Sequence, residues 1–533
     1  MAIINVTVSV SRAKSRCHVH DVILLCGEAA FLYRKGLVVE RIEYAGRGFF
    51  IEDFRHRLAC CENDGRYLLL RLFSNSLYLS FFYPIYKRIK VISDYASKKG
   101  TKTIVFLDPI LDTDVFPITG AEGDNTYNIE WDRRVVLKYL VEYFDGKRVE
   151  TKYSVASKMK VIIRRNCIFV MKFLIVSLQM VLSHLCSKNN YSRTDKIYVV
   201  RDERTVRELD IPSGSRILFN PSFRCYKQPK LLIKYFKASE KITPKLYSKK
   251  SFFKEFQTQS AYFYLLDNVR VDVQSLAIAL YREHYEKICY YGGLKKKNIN
   301  ADALITPEFI GPIAFLESRA LFGKVKMIAV QTFALDVTRV TSLPRVDVRT
   351  YSTMMDKRNF STIENSDVTK VKNVNYVAAS PIERVQSICV LTQPNFNMDS
   401  GIKPIIDGLI SYARNEGVFI KLRIHPRDTS DYSEYIDCID AMSDPRAFIK
   451  SCDLVVGKTT SMINDALLLG VPFVTFAGSE YASLPYTAFE ESRVKRVEDV
   501  VRIAQSINEY IAKYRKFQEV YFSPELNGAE IVH

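Results

Sequence analysis

Through the second half of the chain, short runs of aliphatic and β-branched residues alternate with longer stretches whose apolar positions recur at helical spacing. KIYVV at 196–200 and RILFN at 216–220 predict short buried strands, and the spacing over 271–291 predicts a helix. A sharper unit follows, with a strand at 303–305, an exit loop Thr306-Pro307-Glu308, a helix at 312–322 and a strand at 325–330. That order is a βαβ crossover, expected to be parallel and right-handed. A second unit begins near 387: strand 388–391, loop 392–400, helix 402–415, strand 418–424, polar loop 425–430, a short helical segment at 436–442, strand 453–456, helix 460–469 and strand 472–476. Alternation this regular predicts a doubly wound parallel sheet. The first 190 residues are less ordered in pattern, with strands expected at 22–26 and 103–107 and helical spacing at 67–96 and 134–144, enough for a further α/β region.

One segment departs from the globular pattern. Residues 167–186, CIFVMKFLIVSLQMVLSHLC, approach the length of a bilayer crossing and follow the cations Lys158, Lys160, Arg164 and Arg165. Lys172, Gln179 and His184 argue against a span. Peripheral contact with an anionic membrane, or burial between domains, is the expectation. The amino terminus lacks the charged and apolar regions of a secretory signal.

Composition sets bounds on this picture. At 533 residues, with 47% hydrophobic and 26% charged residues, the chain is long enough for two or three globular domains and is not disordered in composition. The net charge of +18 draws the chain towards polyanions or anionic lipid. No nucleic-acid recognition module accompanies it, so nucleic acid is not the expected partner. Eleven cysteines at irregular spacing, without a CxxC pair, predict free thiols in a reducing cytoplasm. Cys17, His18 and His20 lack a second ligand pair at zinc spacing, with the two histidines expected on one side of a strand; the neighbours Cys60 and Cys61 are expected to be buried, unbridged thiols. No metal site is expected.

Ligands of open parallel sheets bind at the carboxyl ends of the strands. In the last unit those ends carry Thr392-Gln393-Pro394, His425-Pro426-Arg427 and Lys458-Thr459-Thr460-Ser461, which should converge on one sheet edge. The third loop opens a helix, where free backbone NH groups and the positive end of the dipole favour a phosphate, with hydroxyls from Thr459, Thr460 and Ser461 beside them. Asp465, one turn further on, is placed either to accept from ribose hydroxyls or to face water. Pro426 restrains the chain after His425, and Arg427 supplies a planar cation for phosphate oxygens. In the preceding unit, Glu308 and Asp336 are the carboxylates best placed to act as a general base, against the plainer readings of a helix cap for Glu308 and a solvated side chain for Asp336.

Together, Thr392-Gln393-Pro394, RIHPRD at 423–428, TTSMINDA at 459–466 and the segment Val377-Ala378-Ala379-Ser380-Pro381-Ile382-Glu383 resemble bacterial surface-polysaccharide glycosyltransferases of GT-B architecture. The likeness is to the polysialyltransferase, lipooligosaccharide sialyltransferase and Kdo-transferase families, and more distantly to CDP-glycerol glycerophosphotransferases. It implies an α/β chain of two Rossmann-type parallel-sheet domains facing a cleft, with an extra N-terminal α/β and helical region. On that division, 1–190 is an N-terminal region belonging to or inserted in the acceptor-side domain, 191–380 is the acceptor-side domain, 381–515 binds the donor nucleotide and 516–533 is a tail. The resemblance implies that His425, Thr460 and Ser461 hold the donor phosphate. The chain departs from the sialyltransferase pattern after strand 325–330, where Gln331-Thr332-Phe333 stands in place of an acidic doublet and glycine.

The expected function is therefore an inverting transfer of a sugar, acidic and CMP-activated such as sialic acid or Kdo, to a cell-surface glycan or glycolipid. A nucleotide sugar is the donor substrate, and no cofactor or metal is needed. The alternatives are a CDP-polyol phosphotransferase or UDP-sugar transferase on the same fold and, from another class, a polyanion-binding protein. A cytoplasmic protein peripheral on the inner membrane is the expected setting.

Overall fold

The computed structural model describes the chain apart from residues 1–2, 8–9, 26–28, 36, 44–46, 79–81, 108–147, 152–154, 187–193, 202–204, 207–208, 221–227, 265–269, 308–309, 333–336, 338–339, 373, 393–401, 426–431, 441, 443, 458–459, 461, 477–484 and 523–533. The expected helix at 134–144 lies outside the described residues.

Three larger sheets organise the described residues. The first holds β1 (Ile3–Thr7), β2 (Asp21–Leu25), β3 (Ala29–Arg34), β4 (Leu37–Glu43), β5 (Thr103–Phe106) and β6 (Arg148–Thr151), in the order β4-β3-β2-β1-β5-β6. Strands β2, β1, β5 and β6 are parallel, and β3 and β4 form an antiparallel edge. The N-terminal region thus has a sheet of its own, centred on the strand IINVT whose last four residues are buried. The run Cys17 to His20 is not a strand but the turn between the helix Val10–Arg16 and β2, and the buried Cys17 thiol donates to the Lys14 carbonyl at 3.0 Å. Cys60 is exposed and Cys61 half-buried, a departure from the burial expected of small thiols.

The middle sheet is wholly parallel. It contains β7 (Thr194–Val200), β8 (Arg216–Phe219), β11 (Ala301–Thr306), β12 (Lys326–Val330), β13 (Val346–Tyr351) and β14 (Ser366–Val371), ordered β14-β13-β12-β11-β7-β8. A separate antiparallel pair, β9 (Tyr262–Tyr264) and β10 (Arg270–Asp272), precedes the helices of this unit. The helix expected over 271–291 is two helices, Val273–Glu283 and Tyr285–Lys296. They break at His284, whose backbone leaves helical geometry at φ −111°, ψ 26° and whose buried ring stacks on Phe73 at 5.0 Å. One continuous apolar core joins the first two units, running from Ile4 and Phe54 to Leu304 and Tyr351.

The last sheet holds β15 (Ser387–Leu391), β16 (Phe419–Arg423), β17 (Leu454–Gly457) and β18 (Phe473–Thr475), all parallel, in the order β16-β15-β17-β18. Its core is separate from the first and is closed by the helices Val497–Gln505 and Ile507–Phe522. The helical segment expected at 436–442 is a 3-10 turn at Ser433–Cys438, after which Ile439 bridges Leu422. Gly470 ends the helix Met462–Leu469 at φ +73°, and a Cβ there would lie 2.6 Å from the Val377 carbonyl, so glycine lets the incoming linker pass close. The linker is held by the buried Gln518 side chain, which accepts from the Ala379 NH at 3.0 Å and donates to the Val377 and Leu467 carbonyls at 3.1 and 2.7 Å.

The expectation of free cysteines fails at one pair. Cys389 on β15 and Cys452 just before β17 form a disulfide, with Cα atoms 5.9 Å apart across 63 residues of sequence. Pairing of β15 with β17 brings them together, which no local spacing reveals. The other described cysteines are free thiols. The α/β class and the Rossmann-type parallel sheets of the middle and last units are as the alternation predicts.

Candidate functional site

The last sheet changes direction around β15. From β15 the chain crosses to β16 on one side and then returns to β17 on the other, so the strand order reverses beside β15. A crevice opens at the carboxyl edge of a parallel sheet at such a point, because the two connections leave on opposite faces. Leu391 is in register with Arg423, and Val390 with Val456. The residues that follow these three strands are therefore neighbours, and they are Thr392, His425 and the segment ending at Thr460.

Two threonines fasten the edge. Thr392 is buried; its NH donates to the Arg423 carbonyl at 3.1 Å, and its hydroxyl oxygen accepts from the His425 NH at 2.8 Å. The backbone of His425 is thus tied to the end of β15, and its imidazole is half-buried there. Thr460 precedes the helix Met462–Leu469, accepts from the Met462 NH at 3.3 Å through its hydroxyl oxygen, and takes the Ile463 NH on its carbonyl at 3.1 Å. Its hydroxyl proton is not used in that capping bond and is free to point towards an acceptor. The Thr460 methyl lies over the strand ends, since a Cβ added to Gly457 would meet it at 3.4 Å and Leu391 Cβ at 3.7 Å.

Asp465 sits in the first turn of the same helix, where a carboxylate complements the dipole, and it accepts from Arg446 Nε at 3.1 Å with both side chains partly exposed. Arg446 follows Asp444, whose carboxylate caps the helix Pro445–Lys450 through the Arg446 and Ala447 NH groups. Sequence reading offered Asp465 either ribose hydroxyls or water; Arg446 is a partner it did not foresee, because the two residues are 19 positions apart. Gln393, Pro394, Pro426, Arg427, Thr459 and Ser461 lie outside the described residues.

On the middle sheet the candidate bases Glu308 and Asp336 also lie outside the described residues, on the connections that leave β11 and β12. Around them the edge is well defined. The strand order reverses between β7 and β11, and this point is filled from within: Arg201, directly after β7, donates to Glu317 at 3.2 and 2.9 Å, and the Thr306 hydroxyl at the end of β11 donates to the same carboxylate at 3.2 Å. Glu317 is fully buried. Gln331, which stands where the resemblance would place an acidic residue, is buried; its side-chain oxygen accepts from the Ser352 NH at 2.8 Å.

The N-terminal unit reaches over this same edge. Buried Asn75 donates to the carbonyls of Ile310 and Ser342 at 2.8 and 3.1 Å and accepts from the NH and hydroxyl of Thr341, each at 2.7 Å. Ser74 bonds Ser342 at 2.9 Å, and Arg55 donates to the carbonyls of Val337 and Val340 at 2.7 Å each. Asn75 and Arg55 thus position the connections after β11 and β12. The sequence showed no local signal for this, since the partners lie more than 230 residues away. Among the described residues no group of three or more His, Cys, Asp or Glu side chains is gathered as a metal would require.

No family model matches the chain, and no curated protein matches it. Solved structures similar to it include the glycosyltransferase SnogD from Streptomyces nogalater, at 12% identity over 63% of this chain and 97% of that one, with a TM-score of 0.36. CalG4, the calicheamicin glycosyltransferase, is similar at 13% identity over 62% of this chain and 94% of its own, with a TM-score of 0.39. The UDP-GlcNAc 2-epimerase from Neisseria meningitidis, bound to UDP-GlcNAc, is similar at 12% identity over 61% and 94%, with a TM-score of 0.37. Transferases and an epimerase stand side by side in this set, and fold does not by itself determine reaction.

Proposed function

We propose that the chain is an inverting glycosyltransferase that takes a sugar from a nucleotide donor held on the last unit and passes it to a glycan or glycolipid hydroxyl held on the middle unit. The observation that carries this reading is the order β16-β15-β17, which delivers Thr392, His425 and Thr460 to adjacent strand ends at the point where the sheet reverses, next to a helix start. A hydroxyl, an imidazole and the positive end of a helix dipole together form a site for an anionic leaving group.

In the proposed reaction the acceptor oxygen attacks the anomeric carbon as the carbon–oxygen bond to the donor phosphate breaks. The acceptor proton passes to a carboxylate, Glu308 or Asp336, and the negative charge that collects on the departing nucleotide is met by His425, Thr460 and the helix start at Met462. Within this reading the donor is a CMP-linked acidic sugar, supported by the resemblance of the motifs around Gln393, His425 and Thr460. Nucleotide-activated sugars are made in the cytoplasm, so the reading places the protein there.

Melting temperature measured with CMP, CDP, UMP and UDP tests the nucleotide site, because a ligand bound only by the folded state raises stability by mass action. Stabilisation by CMP above the others, and its loss in His425→Ala, is the expected result. Stabilisation by UDP instead would move the donor to the UDP-sugar class, and no shift with any nucleotide would remove the site.

A further inference from the structure

The helix Val155–Leu185 is amphipathic in the wrong sense for a soluble protein. Lys172, Val176, Gln179 and Ser183, spaced along one helical face, are the buried positions. Ile163, Val170, Leu174, Leu178, Val181 and Leu185 are between 43% and 78% exposed, and they recur at steps of three, four or seven, which is a continuous apolar stripe on the outside. Three of the four buried positions are polar, and a continuous aliphatic stripe faces away from the protein.

The inward face is specific. Lys172 Nζ lies 3.1 Å from Glu283 Oε2, and the Phe169 ring meets Tyr281 and Tyr285 at 5.9 and 5.2 Å. Further along, Leu182 and Cys186 pack on the core cluster around Phe219 and Phe236. These contacts span about 25 Å of helix at the usual rise per residue. A helix fastened along its length to a folded unit lies beside that unit and does not cross a bilayer away from it. Its window 166–185 is apolar enough to be a span by composition, yet only 17% of that window is buried in the protein.

Charge selects the occupant of the outward stripe. The helix carries Lys158, Lys160, Arg164 and Arg165 in its first turns and has no Asp or Glu anywhere. The helix Pro229–Ala238 packs against it, also without an acid, and exposes Lys230, Lys234 and Lys237 with Ile233. A second copy of the chain meeting this face across a two-fold axis would set cations against cations. An anionic lipid surface satisfies both features, taking the aliphatic stripe into its acyl boundary and the cations among its headgroups.

We propose that the helix Val155–Leu185 is an in-plane membrane-docking helix that seats the middle unit on an anionic bilayer surface. The full chain should sediment with vesicles of phosphatidylglycerol mixed into phosphatidylcholine and not with phosphatidylcholine alone. Leu174→Ser/Leu178→Ser/Val181→Ser should lower the partition coefficient by roughly tenfold or more, from the apolar area removed from lipid. Arg164→Gln/Arg165→Gln should lower it by about tenfold and weaken its salt dependence. A polarity-sensitive dye on the exposed Cys167, which leaves the stripe intact, should shift to the blue on anionic vesicles. Three results would overturn the proposal: sedimentation of the triple variant equal to that of the unaltered chain; a dimer in vesicle-free solution that the triple variant converts to monomer; or retention in cell membranes washed with alkaline carbonate, which a span survives and a docked helix does not.

Discussion

The middle and last sheets both reverse their strand order beside a central strand, and they complete that place in opposite ways. In the middle sheet the reversal point is closed by Arg201, Glu317 and Thr306, and the neighbouring connections are clamped from outside by Arg55, Ser74 and Asn75 of the N-terminal unit. Among the described residues of the last sheet's edge, Thr392 holds the His425 backbone and Thr460 holds a helix start. A charge sealed inside the protein needs a permanent counter-charge, so the middle edge is braced whether or not substrate is present. The last edge presents polar groups that a bound anion can satisfy. On the proposed function, the middle edge would serve as the braced acceptor side and the last edge as the donor side.

The strongest way to break this comparison is to unseal the middle edge. Arg201→Met leaves the Glu317 carboxylate buried without its main partner and should lower the unfolding free energy by about 3–5 kcal/mol in urea titrations. The double variant Arg201→Met/Glu317→Leu should recover most of that loss. Equal losses in single and double variants would show that the ion pair does not seal the edge.

Removing the external clamp comes next. Asn75→Ala deprives the buried Thr341 and the half-buried backbone at 310 and 342 of partners and should cost about 2–3 kcal/mol. A loss confined to the surface range, below about 0.5 kcal/mol, would mean that the N-terminal unit does not brace these connections.

The docking helix supplies a pH signature on the same unit. Burial lifts the Glu283 carboxyl to about 7, against the pull of Lys172 and with a further push from Glu286. Its folded pKa lies above the unfolded value of 4.5, so the native state holds the proton more tightly, and stability should fall as pH rises through that window. The decline should reach roughly 3 kcal/mol across that window and flatten in Glu283→Gln, as read from urea midpoints across pH.

On the last edge the stability effects should be smallest and the binding effects largest. Thr392→Val leaves the His425 NH without its acceptor and should cost about 1 kcal/mol. Thr460→Val removes a capping oxygen for a similar or smaller loss, about 0.5–1 kcal/mol, while abolishing stabilisation by CMP. A Thr460→Val chain that still binds nucleotide unchanged would separate the helix start from the donor site.

Much of the parallel architecture was legible because buried strands advertise themselves: SICVL at 387–391, LVVG at 454–457 and ALIT at 303–306 are short aliphatic runs bounded by polar loops. β1 was missed because IINVT carries the polar Asn5 in the middle of a short apolar run, and β13 and β14 were missed because VDVRTY and SDVTKV mix charge into their alternation. Arg349 shows why such a strand deceives: it is fully buried, its charge met by Glu364 at 2.8 Å and by the Pro344 carbonyl at 2.6 Å. Among the described candidate residues, Thr392, His425 and Thr460 follow predicted strands, and the structure sets them at adjacent strand ends. Arg446, Asn75 and Arg55 gave no such signal, because each acts on a distant part of the chain.

What the sequence determined alone was the alternation of strands and helices, and with it the residues that stand at strand ends, since periodicity and polarity are local properties. It also carried the apolar segment and its neighbouring cations. The tertiary structure decided which strands are neighbours, which pair of cysteines meets, and which face of the segment 167–186 turns outward. Those depend on contacts between residues far apart in the chain, where burial and pairing are shared by partners that no window of sequence contains.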